Sequence, residues 1–189
     1  MNGRTVFEKY NRLINTIVAV EKLLPKKFRV KQFNRIRNKD GKIAMLRRFV
    51  LLKTLAKKVG MNVAVFPGVY FENIENLSIG DNVSIHQMCY IDAEGDIEIG
   101  DNVSIAHRST ILSSNHGYED ISMPIKYQEM VLAKTILDDD IWIGCGCTIL
   151  AGVHIGSGCV IGANSTVTHN IEAKSVAVGS PTRIIKKRA

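Results

Sequence analysis

An aliphatic or otherwise apolar residue recurs at every sixth position over much of the chain. From Leu137 the series runs through Ile143, Ile149, Ile155, Ile161, Val167 and Ala173. Upstream, the same step links Val65 to Phe71, Ile79 to Ile85 to Ile91, and Ile99 to Ile105 to Ile111. An α-helix repeats about every 3.6 residues and a β-strand every 2, so neither element alone has this period. Each repeat must therefore be one side of a larger coil.

Short fixed repeats are typical of solenoids, and six-residue repeats are typical of parallel β-helices. Three such sides make one triangular coil of 18 residues, which is the spacing from Leu137 to Ile155. The aliphatic residue of each side points inward and stacks on its equivalents in neighbouring coils. A second inward position follows four residues later, at Val83, Cys89, Val103, Ser109, Cys147, Val153, Cys159 and Ser165. The segments "ENIENLS" and "DAEGDIE" each insert two residues into this pattern.

The four cysteines fit the same interpretation. Three of them occupy the second inward position, where cysteine behaves as a small hydrophobic residue. The "CGC" at 145–147 has no second Cys/His pair at the spacing of a zinc site, so we expect no metal. The start of the chain lacks a secretory apolar stretch, and no apolar run reaches the length of a membrane span. These features predict a cytoplasmic protein with reduced thiols.

Residues 1–60 have a different character. They contain 17 Lys/Arg and 3 Asp/Glu, a balance of +14, whereas residues 61–189 contain 8 and 15, a balance of −7. Helical spacing of apolar residues predicts one helix in "EKYNRLINTIVAVEKLLP", ending at Pro25, and another in "KIAMLRRFVLLKTLAKKVG", ending at Gly60. The sequence therefore predicts a basic α-helical region over 1–60 and a solenoid domain over 61–189.

Three roles are open for the basic region. It can cap the end of the solenoid, because a solenoid needs its terminal coil covered. It can contact the surface of an anionic membrane, which suits a basic amphipathic helix. Dense charge with interleaved Phe also fits nucleic acid. We consider the third the least favoured and predict no nucleic-acid partner.

The six-residue pattern is suspended between Ile111 and Leu137. The stretch "ILSSNHGYED" at the break carries His116. Because the entropic cost of closing a surface loop grows slowly with its length, a rigid solenoid tolerates such an insertion. We therefore predict a protruding loop at about 112–136 that carries the histidine.

The repeat, the loop histidine, "DDDIWIG" after it and "GSPTRIIKK" near the end together resemble one family over roughly residues 62–187. These are the left-handed β-helix acyltransferases, which include maltose, galactoside and serine acetyltransferases. The chain looks most like the sugar O-acetyltransferases of bacterial surface-polysaccharide pathways. The resemblance implies a mainly β, left-handed parallel β-helix, a homotrimer with active sites between subunits, and acetyl-CoA as co-substrate.

The resemblance also assigns catalytic residues. His116 matches the loop histidine that takes a proton from the acceptor hydroxyl, and imidazole suits that task near neutral pH. Glu129, in "KYQEM", falls where relatives carry a loop glutamate and is the candidate to orient the His116 ring. A backbone carbonyl is the alternative orienting group.

For acetyl-CoA, the resemblance implies contacts along the outside of the later coils. Trp142 matches a residue near the pantetheine arm, and Arg183 matches a basic residue near the nucleotide phosphates, where a guanidinium fits well. The remaining predicted contacts are Gly144, Cys145, Ala163, Thr168, His169 and Lys186. Thr168 and His169 replace a Thr-Lys pair that is frequent in the family.

By position, the acceptor contacts are His86, Asp92, Glu94 and Met130. His86 departs from the polar amide of some galactoside enzymes, and the basic helices replace the family's usual N-terminal segment. These departures favour a sugar on a larger, lipid-linked carrier, with the protein held at the inner face of the membrane. The expected function is O-acetylation of capsule, O-antigen or exopolysaccharide sugars. The alternatives are an amino-sugar N-acetyltransferase and a non-enzymatic hexapeptide scaffold.

Overall fold

The computed structural model describes residues 3–188, with side chains from residue 12 onward. Three helices come first: α1 (Gly3–Lys22), α2 (Lys26–Ile36) and α3 (Lys42–Leu55). A β-solenoid of about six coils follows. The fold prediction of a β-solenoid behind an N-terminal helical region is confirmed.

The strands of the solenoid are short, mostly two or three residues each. In chain order they are β1 (Lys58–Val59), β2 (Ala64–Val65), β3 (Tyr70–Glu72), β4 (Leu77–Ile79), β5 (Ser84–Ile85), β6 (Tyr90–Asp92), β7 (Ile97–Ile99), β8 (Ser104–Ile105), β9 (Thr110–Leu112), β10 (Ser114–His116), β11 (Met130–Leu132), β12 (Thr135–Leu137), β13 (Trp142–Ile143), β14 (Thr148–Ile149), β15 (His154–Ile155), β16 (Val160–Ile161), β17 (Thr166–Val167), β18 (Ser175–Val178) and β19 (Arg183–Lys187).

Parallel sheets form the three faces of the prism. Face A has the order β1-β4-β7-β12-β15, and face C has the order β17-β14-β9-β6-β3. Face B has the order β2-β5-β8-β13-β16-β18-β19, with β19 added antiparallel at its edge. We call the edges of the prism the AB, BC and CA corners after the faces they join. Strands β10 and β11 form a separate antiparallel hairpin.

The strand register gives the length of each coil. Lys58 pairs with Ser78 and Ser78 with Glu98, so the first coils are 20 residues long. Leu137 pairs with Ile155, the predicted 18-residue coil. The two extra residues of the early coils lie at the CA corner, around Asn73–Asn76 and Ala93–Asp96. The two inserted segments of the sequence therefore enlarge one corner and leave the faces in register.

The inward positions are largely as the repeat predicts. All eight residues of the second inward position are buried, and so are the aliphatic residues of the series except Phe71, which is half-buried, and Ala173. The prediction for Ala173 is wrong. Ile171 bridges to Ile155 and is 2% exposed, whereas Ala173 is exposed. The last coil is only 16 residues long at this point, so its inward residue comes two positions early.

The cysteine side chains are free thiols. Cys89, Cys147 and Cys159 are buried in the core as predicted, and Cys145 is half-buried. Burial raises the pKa of the Cys89 thiol to about 11. Within residues 3–188, no group of three or more His, Cys, Asp or Glu side chains is placed to hold a metal ion.

The helices cover the open end of the first coil. Helix α3 contacts β1 and β2 and buries Phe49, Val50, Leu51 and Leu52 in the same core as the solenoid. It ends at Leu55, five residues before the predicted stop, because Lys58–Val59 is the first strand of face A. Helix α2 was not predicted. It is held to the solenoid by the edge contact of Phe33 with Phe71, with ring centroids 5.8 Å apart.

Arg48 ties the helices to the solenoid. Its side chain is 1% exposed and donates to three main-chain carbonyls, Val65 O at 2.8 Å, Ile36 O at 3.1 Å and Lys39 O at 2.6 Å. Burial lowers the pKa of its guanidinium, and the nearby Asp40 partly offsets that effect. The first acceptor belongs to the first coil and the other two to the end of α2 and the turn after it. A buried cation therefore fixes the helical region and the solenoid as one body.

Candidate functional site

The insertion at the CA corner of the third coil is a β-hairpin. Ser114 is opposite Leu132 and His116 is opposite Met130. The ladder continues one residue further, where Gly117 N donates to the Glu129 carbonyl at 3.0 Å. His116 lies at the far end of β10 and is exposed. The hairpin is separate from the three faces of the prism, and the histidine is exposed on it.

The base of the hairpin is anchored to the coil below it. Ser114 Oγ donates to Asp92 Oδ2 at 3.0 Å, and Ser113 Oγ donates to the Asp92 carbonyl at 2.8 Å. Asp92 Oδ1 accepts from Asn73 Nδ2 at 3.0 Å and from Glu94 N at 3.2 Å. The Asp92 carboxylate, proposed from the sequence as a sugar contact, is therefore buried and bonded within the protein. Glu94 lies beside it and is half-buried.

The strand register identifies the cross-strand neighbour of His116. Met130 is directly across the ladder, and cross-strand partners share one side of a ribbon. Neighbouring residues along a strand point to opposite sides, so Glu129 projects away from the His116 side. In the described part of the chain, no hydrogen bond or ion pair joins the His116 ring to the Glu129 carboxylate. The bond from Glu129 to this strand is made by its main-chain carbonyl.

The BC corner carries a column of residues that become smaller along the prism. One position per coil is occupied in turn by Phe66, His86, Ala106, Gly144 and Gly162. The His86 ring stacks on Phe66 with centroids 4.6 Å apart and planes 7° apart. At Gly144, a Cβ would lie 2.6 Å from Ala163 N, so this coil approaches the next one too closely for a side chain. The column therefore carries no side chain at Gly144 and Gly162, and we call this part of the BC corner the strip.

Main-chain amides line that strip. Gly144 N donates to the Ile161 carbonyl at 2.8 Å and is occupied within the solenoid. The next residue in each coil is different: among the described residues, the amides of Cys145 and Ala163 have no hydrogen-bond acceptor in the protein. Ala163 is exposed and Cys145 is half-buried. Two of the predicted acetyl-CoA contacts therefore present free donors on adjacent coils.

The other predicted acetyl-CoA contacts divide between two places. Trp142 lies on the outside of face B, 56% exposed, in register with Ser104 and Val160. Arg183 and Lys186 are exposed on β19, the strand at the edge of that face. Thr168 and His169 instead lie at the CA corner, where Thr168 Oγ1 is 3.1 Å from His169 Nδ1.

The predicted site residues thus form two groups on one chain. The CA corner holds His116, Asp92, Glu94, Glu129, Met130, Thr168 and His169, and the BC corner and face B hold His86, Trp142, Gly144, Cys145, Ala163, Arg183 and Lys186. Face C lies between them. One copy of the chain therefore does not bring the loop histidine and the strip of free amides into a single cleft.

The outer side of face C carries a polar and aromatic row that the sequence analysis missed. Tyr70 and Tyr90 stack with centroids 5.7 Å apart, and the Arg37 guanidinium lies 4.7 Å from the Tyr70 centroid. The Tyr90 hydroxyl donates to Glu72 at 2.8 Å. Burial, followed by this hydrogen bond, raises the pKa of Tyr90 to about 12. The spacing of the two tyrosines by one 20-residue coil was the available signal.

Comparison with a family model matches residues 134–169 to the bacterial transferase hexapeptide, which has six repeats. Among curated proteins, a probable macrolide acetyltransferase of Lysinibacillus sphaericus is 40% identical over 72 residues, which is 38% of this chain and 39% of that protein. A probable acetyltransferase of Mycobacterium tuberculosis is 37% identical over 78 residues, 41% of this chain and 26% of that one. The chain thus spans about a quarter to two fifths of the length of these curated relatives.

Solved structures match over a greater length. A maltose O-acetyltransferase from Clostridium difficile 630 is 30% identical, with a TM-score of 0.76 over 87% of this chain and 86% of that one. A galactoside acetyltransferase in complex with coenzyme A is 32% identical, with a TM-score of 0.76 over 86% and 80%. A hexapeptide-repeat acetyltransferase from Vibrio cholerae O1 biovar eltor, complexed with acetyl-CoA, is 26% identical, with a TM-score of 0.75 over 86% and 88%.

Proposed function

The chain belongs to the hexapeptide-repeat acetyltransferase family, and we propose that it transfers the acetyl group of acetyl-CoA to a hydroxyl group of a carbohydrate. The observation that carries this proposal is the display of His116. It is exposed at the end of a hairpin inserted into the third coil, in a chain that aligns along most of its length with sugar O-acetyltransferases.

The chemistry requires a base and a bound thioester. The neutral His116 imidazole accepts the proton of the sugar hydroxyl, and the oxygen attacks the thioester carbonyl carbon as its C–O bond forms. The C–S bond then breaks, and the leaving thiolate takes the proton from the imidazolium. The products are a sugar ester and free coenzyme A. No nucleophilic Ser or Cys is needed for such direct transfer.

The strip at the BC corner fits the arm of acetyl-CoA. The arm contains amide carbonyls, and the free amides of Cys145 and Ala163 can donate to them. The exposed Trp142 ring offers apolar contact beside them on face B. Arg183 and Lys186 at the edge of that face supply cations for the nucleotide phosphates. Thr168 and His169 stay predicted contacts for this ligand.

The separation of the two groups supports a homotrimer with sites between subunits. When the CA corner of one copy faces the BC corner of the next, His116 of one lies against the strip of the other. The hairpin also exposes a series of large apolar side chains, and contiguous apolar surface marks an interaction site. These side chains are Tyr118, Ile121, Met123, Ile125, Tyr127, Val131 and Leu132. A neighbouring copy that covers the hairpin would also exclude water from the imidazole.

The acceptor class rests on the named activities of the similar structures and on the residues near the hairpin. Glu94 and Met130 lie at the CA corner and His86 at the BC corner, so each could contact a sugar held between two copies. We propose a sugar of a bacterial surface polysaccharide, carried on a lipid-linked intermediate at the inner face of the membrane. The basic helical region favours such a large carrier over a free disaccharide.

The test combines binding and transfer. Trp142 is the only tryptophan, so titration of acetyl-CoA should change its fluorescence. His116→Ala should keep this response and lose transfer to a lipid-linked glycan, measured with labelled acetyl-CoA and mass spectrometry. His154→Ala is the matched control, because His154 pairs with Asp138 on face A at 3.0 Å and should stay active. Full activity in His116→Ala would refute the mechanism.

The acetylated atom is tested on the same product. An ester on oxygen is released by alkaline hydroxylamine, whereas an amide on an amino sugar is not. We expect release of the label. A stable product would replace O-acetylation with the N-acetylation alternative, and absence of any response to acetyl-CoA would favour a non-enzymatic scaffold.

A further inference from the structure

The outermost layer of the helical region is α1. Its buried side is formed by Ile14, Val18 and Glu21, and Glu21 pairs with Arg47 of α3 at 2.5 Å. Helix α3 in turn contacts β1 and β2. Because α3 lies between α1 and the strands, the side of α1 opposite Ile14 and Val18 faces away from the solenoid and is an end surface of the molecule.

Exposed apolar residues lie along the margin of that end surface. Leu13, Val20 and Leu23 are 58%, 60% and 84% exposed. Leu13 and Val20 are seven residues apart and therefore share one flank of α1, beside its buried side, and Leu23 follows in the turn just after the helix ends at Lys22. Apolar residues are thus exposed beside the packed side of α1 and at its end. We call the three exposed residues the α1 stripe.

The helical region also exposes positive charge. On α2, Lys27, Lys31 and Arg35 are exposed together with Phe28 at helical spacing, and Arg12 and Lys22 are exposed on α1. The negative charge of the same region is partly hidden, because Glu21 is buried against Arg47. Among residues 12–60, most of the Lys and Arg side chains are therefore directed to solvent.

We propose that this end of the molecule docks on the surface of an anionic lipid bilayer. The α1 stripe enters the boundary between headgroups and acyl chains, and the basic side chains contact the headgroup phosphates. Among residues 3–188, no helix is both long and apolar enough to cross a bilayer, so the contact is with the surface.

The combination of exposed apolar and basic side chains favours a lipid surface over a second copy of the chain and over nucleic acid. A second copy docked on the same surface would place two strongly basic ends against each other, which is unfavourable. Nucleic acid would satisfy the cations but leave Leu13, Val20 and Leu23 without an apolar partner. A bilayer surface supplies both phosphate and hydrocarbon.

The proposed trimer would strengthen the docking, and this step rests on the proposed function. Solenoids packed side by side with parallel axes place all three helical regions at one end. Three weak contacts to one plane act together, because each contact raises the effective concentration of the next. Docking of one surface would thus hold all three active sites near the membrane.

The experiment uses the full chain and vesicle co-sedimentation. One set of vesicles is phosphatidylcholine alone, and the other is an equimolar mixture with phosphatidylglycerol. We expect sedimentation with the anionic vesicles that weakens at high salt. Changing Leu13, Val20 and Leu23 together to Gln should reduce it at least tenfold, since each loses buried apolar area. Ile184→Gln with Ile185→Gln, exposed at the opposite end on β19, is the control and should bind normally.

The charge requirement is tested separately. Lys27→Glu, Lys31→Glu and Arg35→Glu together should lower partitioning by at least about 100-fold, since each basic residue lost near an anionic surface removes roughly a fivefold gain and each new carboxylate adds repulsion. The control makes the same change in net charge on the solenoid, by changing Arg108, Lys126 and Lys174 to Glu. The fold-decrease in partitioning should be less than a tenth of that in the α2 variant.

Three outcomes would overturn the proposal. The first is that the wild-type chain does not sediment with anionic vesicles. The second is that the test variants and the control variants lose vesicle binding equally. The third is that the chain self-associates as its concentration rises and that changing the α1 stripe abolishes this self-association. Failure of docking is distinguishable from failure of the enzymatic proposal. His116→Ala should dock as the wild type does, and the variant of the α1 stripe should keep its fluorescence response to acetyl-CoA.

Discussion

The Ser114 hydroxyl donates to the Asp92 carboxylate at 3.0 Å, and both side chains are buried. The bond joins the CA corner of the second coil to the first residue of β10. His116 is two residues further along the same strand. The direction in which the hairpin leaves the prism, and so the position of the imidazole, is therefore set by a contact outside the hairpin.

Removal of this contact should misplace the base. We expect Ser114→Ala to lower kcat by about 10- to 100-fold, because a displacement of about 1 Å of a catalytic group has that effect. The KM for acetyl-CoA should stay unchanged, and Ser114→Thr should restore kcat. Steady-state kinetics check this, with Ser122→Ala in the exposed loop as the control. A rise confined to the acceptor KM in Asp92→Ala would instead support the predicted sugar contact.

Glu129 is tested by a neutral substitution. If it orients the His116 ring in the assembled protein, Glu129→Gln lowers kcat by about tenfold, as for other residues that hold a catalytic imidazole. Glu119→Gln, another exposed loop carboxylate, should be neutral. We expect the loss at Glu129. An unchanged kcat would assign the orientation to a main-chain carbonyl, consistent with the absence of a bond between the two side chains in one copy.

Arg48 should be essential for the stability of the junction between helices and solenoid. Arg48→Met removes the donor from the buried Val65 carbonyl and from the partly buried carbonyls of Ile36 and Lys39. We expect the free energy of unfolding to fall by about 3 kcal/mol, the cost of one buried and two partly buried carbonyls losing hydrogen bonds to a charged side chain. Urea unfolding measures it. Arg35→Met, on the exposed side of α2, should cost less than about 0.5 kcal/mol.

The thiols should differ in reactivity. Burial raises the pKa of Cys89 to about 11 and raises the pKa of Cys147 and Cys159 as well. A raised pKa keeps a thiol protonated at pH values below it, and the thiolate is the reactive form. At pH 8 we therefore expect iodoacetamide to modify the native protein only at the half-buried Cys145. Mass spectrometry should find all four modified in urea, and rapid native modification of Cys89 would contradict its burial.

Periodicity predicted the coil because the inward direction of each aliphatic residue follows from its position in the six-residue repeat. The equivalent residues of the coils above and below have the same position and pack against it. That reasoning failed at Ala173. A step of six residues assumes that every corner has the same length, and the corner in the last coil is shorter. This reasoning also missed α2, in which five of the eleven residues are Lys or Arg. That helix is stabilised by tertiary contacts such as Phe33 on Phe71, which local sequence does not reveal.

The sequence predicted which residues belong to the candidate site, but not how they are arranged in space. The position of His116 on an inserted loop follows from the suspended repeat. The bond from Ser114 to Asp92 depends on stacking of two coils at one corner, which separates the partners by 22 residues in the chain. The amides of Cys145 and Ala163 are free because the hydrogen bonds between neighbouring coils do not use them. The pattern of side chains in the sequence does not show which main-chain groups make those bonds.

The rigid junction at Arg48 fixes a distance. Helix layers stack about 10 Å apart and coils about 4.8 Å apart, so the base of the hairpin lies roughly 30 Å from the outer side of α1. A molecule docked by that side holds the imidazole at this height above the bilayer. The protein would then select acceptors by length. An acceptor whose reactive sugar lies that far from its lipid anchor reaches His116, and shorter intermediates do not reach it and stay unmodified.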